Sequence, residues 1–201
     1  ADHHVRLDGI EVPSIHPDLT TGEGINLTRA VRLAENALVC FEGIKKYGPF
    51  DIPGETARTW LGSAGNPNSH ANADVLRPWI NATDVVRNAS DTWVVDFTGL
   101  AAAQAALYEA PFQFALDNVR PARANDRNAR TREQWWLYER PRLEMRRAIA
   151  PLQRFIVTPV VAKHRIFAWR PTPTLAMNLL DVIARADDTT FGVLHSRFHD
   201  L

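Results

Sequence analysis

An α+β domain, with a mixed or antiparallel sheet and flanking helices, is the fold class that this 201-residue sequence predicts. Three observations point to it. Residues 92–97 (TWVVDF) form a largely apolar run between polar neighbours, the pattern of a buried strand. Residues 101–119 and 132–152 are dense in helix formers. Strands and helices then follow one another without the regular βαβ alternation of a doubly wound sheet.

Taken in order, residues 1–26 read as an irregular lead-in punctuated by Pro13, Pro17, Gly22 and Gly24, and residues 27–201 as the domain proper. Leu27, Val31, Ala34 and Leu38 recur at helical spacing. The LVCFEGI segment that follows fits a buried strand equally well. After the Pro53-Gly54 turn, residues 54–62 (GETARTWLG) read as a short helix with Ala57, Trp60 and Leu61 on one side. Residues 62–73 (GSAGNPNSHANA) are a polar, flexible, exposed loop. Residues 75–80 (VLRPWI) and 84–87 (DVVR) read as short extended pieces. Pro111 breaks or kinks the first helical stretch, and the second is interrupted at Pro141 and closed near Pro151. Residues 154–161 (RFIVTPVV) and 164–169 (HRIFAW) are two strands, with Pro159 indicating an edge position or a bulge. Residues 179–185 (LLDVIAR) read as a further strand, and residues 189–201 have helical character.

Hydrophobic residues make up 45% of the chain and charged residues 23%, an ordinary composition for a folded soluble domain. No apolar run reaches 18 residues, so no membrane helix is expected, and the N-terminal ADHHVRLDGIEVP has no signal-peptide pattern. Cys40 is the single cysteine, which excludes a disulfide framework and a cysteine zinc site and points to a reducing, cytoplasmic setting. The Asn-X-Ser/Thr triplets at Asn26, Asn81 and Asn88 read as turn and capping residues. Net charge is zero, yet residues 120–170 hold twelve arginines and Lys163 against four acids, a net +9. Such a polarised chain can offer a basic face to a polyanion, and arginine suits planar contacts to phosphate or guanine. The competing expectation is that these arginines pair with local glutamates on helix surfaces.

Individual motifs exclude more than they assign. Asn66-Pro67-Asn68 is one residue away from the N-P-P-[Tyr/Phe] tetrapeptide of amino-methylating DNA enzymes, but Asn68 and Ser69 stand where a proline and an aromatic belong. No Gly-rich cofactor loop follows an apolar strand, no G-x-S-x-G elbow occurs, and no phosphate-binding loop is present. His195 and His199 share the spacing of helical zinc ligands, with Ser196 in place of the general-base glutamate. That pair admits a histidine-based metallohydrolase as a rival reading. A protein–protein docking domain using the basic stretch is another. Lys163-His164-Arg165 precedes Phe167 and Trp169, a link able to set cations against phosphates. Trp135 and Trp136, beside Arg127, Arg130 and Arg132, read as core anchors.

Six segments in sequence order carry a more specific signal: NPNSHANADVLRPWINATDVVR, TWVVDF, ALYEAPFQFALDNVRPAR, WWLYERPR, RFIVTPVVAKHRIFAW and FGVLHSRFHDL. Together they resemble the target recognition region of bacterial type IIL restriction–modification enzymes and related adenine-specific DNA methyltransferases. The resemblance runs from about Ile15 to the last residue and implies a target-recognition-domain fold that reads double-stranded DNA. It places S-adenosylmethionine, the methyltransferase domain and N-P-P-[Tyr/Phe] upstream in a parent chain, with no catalytic residue, metal or cofactor here. Family members continue past HSRFH, so a recognition domain truncated at its C-terminus is expected. By the same resemblance Arg77, Trp79, Asp84, Lys163, His164 and Arg165 position the domain on DNA. Base readers fall on residues 125–132, with Arg127, Arg130 and Arg132 in the DNA-facing set together with Arg197. For Asp84 and Asp96 an internal ion pair or turn cap competes with any DNA role.

Overall fold

An Asp-Gly pair opens the observed architecture. In the computed structural model, which describes residues 5–15, 21, 31, 33–63 and 65–197, Asp8 and Gly9 take positive φ values of 49° and 82°. They turn strand β1 (Val5–Leu7) back onto β2 (Ile10–Val12), with Leu7 opposite Ile10. Two-residue Asp-Gly loops favour this hairpin because both positions tolerate the left-handed region. A hairpin therefore lies within the stretch read as an irregular lead-in. Of the helix expected at 27–38, residues 27–30 and 32 fall outside the described residues; the described part is not an α-helix but one 3-10 turn (Ala34–Asn36), and Leu38 takes a left-handed φ of 57°. The chain divides into two compact units, Ala1–Ala37 and Leu38–Leu201.

Along the second unit run β3 (Cys40–Glu42), β4 (Asp51–Pro53), α1 (Gly54–Leu61), β5 (Leu76–Ile80), α2 (Ala82–Val86), β6 (Thr92–Val95), α3 (Ala102–Ala105) and α4 (Glu109–Arg123). They are followed by α5 (Ala129–Glu133), α6 (Leu143–Ile149), β7 (Arg154–Pro159), β8 (Ala168–Pro171), β9 (Leu175–Ala176), β10 (Leu180–Ile183) and α7 (Asp188–His195). One four-stranded sheet has the order β3-β10-β7-β8 and is antiparallel throughout. The other has the order β4-β6-β5-β9, antiparallel except for the parallel β5–β9 pair. This is an α+β fold, as the sequence predicts. No helix among the described residues is long and apolar enough to cross a membrane.

Several elements differ from expectation for identifiable reasons. Residues 84–87, expected to be extended, belong mostly to α2, because Asn81 and Asp84 form a reciprocal cap. Asn81 Oδ1 accepts from Asp84 N at 3.0 Å, and Asp84 Oδ2 accepts from Asn81 N at 2.8 Å. Pro111 does not break α4: it lies in the first turn, where a missing N–H costs no helical bond. β7 is an interior strand, contrary to the edge position suggested by Pro159. That proline is the last residue of the strand, opposite Leu180. Residues 164–167 are loop, and the following strand begins only at Ala168.

The two sheets meet through a narrow seam. Gly43 N donates to Leu180 O (2.9 Å), Ile44 N to Ala176 O (2.8 Å) and Met177 N to Ile80 O (3.0 Å). Ile44, Phe50, Ile52, Val94, Phe155 and Val182 are buried in the main core. Along β7, Phe155 and Val157 face that core while Ile156 joins Phe167 and Ile183 on the opposite face. The second face is covered by α7, whose Phe191 stacks on Trp169 with ring centroids 4.8 Å apart.

At the seam a Cβ on Gly43 would lie 2.0 Å from the Met177 carbonyl oxygen. Backbone on both sides cannot yield as a side chain would. Gly43→Ala is expected to cost about 2 kcal/mol or more and to lower Tm by roughly 4–8 °C. Thermal denaturation followed by circular dichroism checks this, and an unchanged Tm would refute the seam as a constraint.

Candidate nucleic-acid interface

The partners of the arginines in residues 120–170 come mainly from elsewhere in the chain. Arg146 Nη1 bonds Asp96 Oδ2 at 2.6 Å, Arg154 Nη2 bonds Asp188 Oδ1 at 2.7 Å, and Arg142 pairs with Glu42. Local glutamates contribute little: Glu139 is bonded by Lys45 at 3.1 Å and only approached by Arg140 at 3.9 Å. Among the described residues neither Glu133 nor Glu144 has an ion pair. The expected helix-surface pairing is thus replaced by long-range pairing. It leaves the side chains of Arg127, Arg147, Lys163, His164 and Arg197 with no ion pair or hydrogen bond among the described residues.

Arg123 organises the basic region. It is 1% exposed, and its Nε and both terminal nitrogens donate to the carbonyls of Lys46, Tyr47, Trp135 and Leu137. Phe50 lies beneath the guanidinium, 4.9 Å from its central carbon. Burial pushes the Arg123 pKa down from its ordinary value, the direction expected for a desolvated cation. The carbonyls it recruits at 135 and 137 lie in the stretch between α5 and α6, which the sequence predicts to be helical. They hold that stretch as an irregular ribbon, which then pairs with Lys45 through Arg140 N (2.9 Å to Lys45 O).

Opposite this ribbon, Asn128 caps α5 by accepting from Arg130 N at 3.0 Å, and Asp126 Oδ1 in turn accepts from Asn128 N at 2.8 Å. Between ribbon and helix lies a depression of about 320 Å³. Its rims are Asn128, Arg130 and Gln134 on one side and Glu139 and Arg140 on the other, and Arg123, Thr131 and Tyr138 also line it. Arg130 Nε donates to Gln134 Oε1 at 3.4 Å, whereas its terminal nitrogens have no partner among the described residues. Arg132 is exposed but anchored, donating to Asp126 O at 2.7 Å.

The remaining candidates are dispersed. Arg77 is engaged internally, with bonds to the carbonyls of Ala73, Asp74 (2.9 Å) and Leu76 (2.8 Å). Lys163 and His164 border a separate depression of about 380 Å³ with Thr83, Val86, Val161 and Ile166. Arg165 reaches Ser196 O at 3.3 Å and lies 5.9 Å from the Phe167 ring. Arg197 is exposed, two residues past α7. Trp79 is buried under the Lys46 ammonium (4.4 Å), and Trp135 and Trp136 pack against the core as anchors. Asp84 and Asp96 take the cap and ion-pair roles anticipated as alternatives to DNA contact.

The Asn66-Pro67-Asn68 loop is not the flexible segment its composition implies. Asn66 Nδ2 donates to His70 O and Asn72 Oδ1, both at 2.9 Å, and buried Asn72 donates to Trp60 O at 2.9 Å. His195 packs against the rings of Phe191 and Phe167 at 4.5 and 5.5 Å, and His199 lies outside the described residues. Among the described residues no cluster of three histidine, cysteine or acidic side chains is placed to hold a metal. Sequence reasoning had not singled out Arg123, Gln134 or Arg140. Nothing local distinguishes them from surface residues.

No protein-family model matches the chain, and no curated protein matches it by sequence. Its fold, two four-stranded sheets with flanking helices, is nevertheless similar to part of a solved structure. A type IIL restriction–modification enzyme, MmeI in complex with DNA, aligns over 94% of this chain with a TM-score of 0.59 at 14% sequence identity. The chain spans about a quarter of that enzyme's length (25%), and the likeness is one of fold.

Charge alone does not explain Arg123, because its partners are carbonyls. Arg123→Lys keeps the cation but supplies three donors in place of five. It is expected to cost about 2–4 kcal/mol through unsatisfied buried carbonyls. Urea unfolding measures this, and a lysine variant as stable as the parent would refute the role.

Proposed function

We propose that this chain is a duplex-DNA recognition module of a bacterial restriction–modification or adenine-N6 DNA methyltransferase system. The observation that carries this reading is the whole-chain fold correspondence with a type IIL enzyme solved on DNA. The unpaired cations support it. Methyl transfer from S-adenosylmethionine would then belong to a methyltransferase domain of a longer parent chain acting in the cytoplasm, and this module would supply binding and sequence choice. An amino-methylating enzyme extrudes its target base at a cost of a few kcal/mol. A lobe that clamps the flanking duplex offsets that cost. In this reading Arg127, Lys163, His164 and Arg197 contact phosphates, and Arg77 has a structural part, bracing the 73–76 segment.

Phosphate contacts release counterions, so affinity falls steeply with salt. Fluorescence polarisation on mixed-sequence duplex DNA is expected to show a log–log salt slope of about −3 to −4, for roughly four neutralised phosphates. Lys163→Glu combined with His164→Glu, which leaves the Arg165–Ser196 contact intact, is expected to weaken binding about tenfold or more at low salt. Absence of binding by the parent chain at low salt would overturn the proposal. A double variant that binds like the parent would remove these two residues from the interface.

A further inference from the structure

The depression between α5 and the 138–140 ribbon differs in kind from the scattered surface cations. Its polar groups are biased toward donors, and internal bonds create the bias. Asn128 Oδ1 is occupied by the α5 cap, which leaves its amide NH₂ available. Gln134 Oε1 is occupied by Arg130 Nε, which leaves its NH₂ available as well. Glu139, the acidic group on the rim, is bonded by Lys45. Arg140 has a side chain 57% exposed and, among the described residues, no side-chain hydrogen bond or ion pair beyond its 3.9 Å approach to Glu139. A ligand that presents acceptors to this space meets several of these donors at once.

Arg130 is arranged for one kind of acceptor pair. With Nε turned toward Gln134 Oε1 at 3.4 Å, its two terminal nitrogens are left as a planar fork with no partner among the described residues. A fork of that type matches O6 and N7 of guanine in the major groove. A phosphate accepts the same fork, and loss of preference at one base position, as against a uniform loss of affinity, separates the two. The recess is also rigid: capped α5 forms one wall, and the other follows the carbonyls held by buried Arg123. Preorganisation of this sort is what discrimination between bases demands.

We propose that this depression reads a guanine edge of duplex DNA, with Arg130 as the reading side chain and Gln134 as its positioning residue. The inference rests on the DNA-recognition reading of the chain. Arg140, on the opposite rim, donates to the neighbouring base or its phosphate.

Selection of a randomised duplex library on the 201-residue chain, followed by sequencing of the bound fraction, tests it. The parent chain is expected to enrich a motif containing at least one guanine. Arg130→Ala is expected to lose preference at that single position by about 5- to 150-fold, with the remaining motif positions and Tm retained. Gln134→Ala should blur the same position, and Gln134→Glu, which retains the acceptor for Arg130 Nε, should restore it. An intact motif in Arg130→Ala would overturn the inference. So would a uniform loss at all positions with a salt slope smaller by about one, the behaviour of a phosphate contact. A parent chain that binds DNA without sequence preference would overturn it while leaving the DNA-binding proposal standing. A parent chain that binds no DNA would remove both.

Discussion

The guanidinium of Arg123 lies almost wholly out of water without a carboxylate against it, and the second unit of the fold is arranged around that fact. A buried cation costs several kcal/mol unless its field is answered. Here the answer is a ring of four carbonyls, from Lys46, Tyr47, Trp135 and Leu137, each turned inward toward five N–H donors. Those carbonyls belong to segments about 90 residues apart, so one side chain from the last turn of α4 ties the 46–47 turn to the 135–137 ribbon. Backbone that would otherwise continue as helix is drawn off to serve it. The wall of the polar depression is a by-product of that demand.

Charge elsewhere follows a related logic. A stretch with net +9 would repel itself if its cations were left together, and the fold relieves this by bringing acids from the electronegative remainder. Asp96 reaches Arg146, Glu42 reaches Arg142 and Asp188 reaches Arg154, and each acid lies outside the basic stretch. Buried Arg123 is answered by carbonyls instead, and Arg127, Arg147 and Lys163 stay exposed with no ion pair among the described residues. Selective neutralisation turns an undirected positive segment into discrete points, which a partner of fixed geometry can address.

How much of this was legible in the sequence depends on the range of the interaction involved. Strands such as TWVVDF and the α+β class were readable, because burial leaves an apolar pattern in the residues themselves. The Asp8-Gly9 hairpin and the Asn81/Asp84 cap leave two- and four-residue patterns, yet the irregular reading of 1–26 passed over the first and the extended reading of 84–87 over the second. Pro159 misled because a proline at the end of a strand looks like one at its edge. Arg123 was not legible. Its neighbours Ala122 and Ala124 suit a surface helix, and only carbonyls far along the chain decide that it is buried. The same holds for the depression, whose rims are joined by tertiary contacts that leave no trace in local spacing.

β10 has a consequence for the order in which the protein is made. Leu180–Ile183 fills the position between β3, near residue 41, and β7, near residue 156, so an interior place in one sheet is supplied by a strand made long after β3. Until it arrives, β3 and one side of β7 remain open edges with unpaired backbone, the kind of surface on which nascent chains pair wrongly. The seam at Gly43 and Ile44 waits on the same event, since its partners are Ala176, Met177 and Leu180. The β3 edge and the seam therefore close only once residues 176–183 have been made.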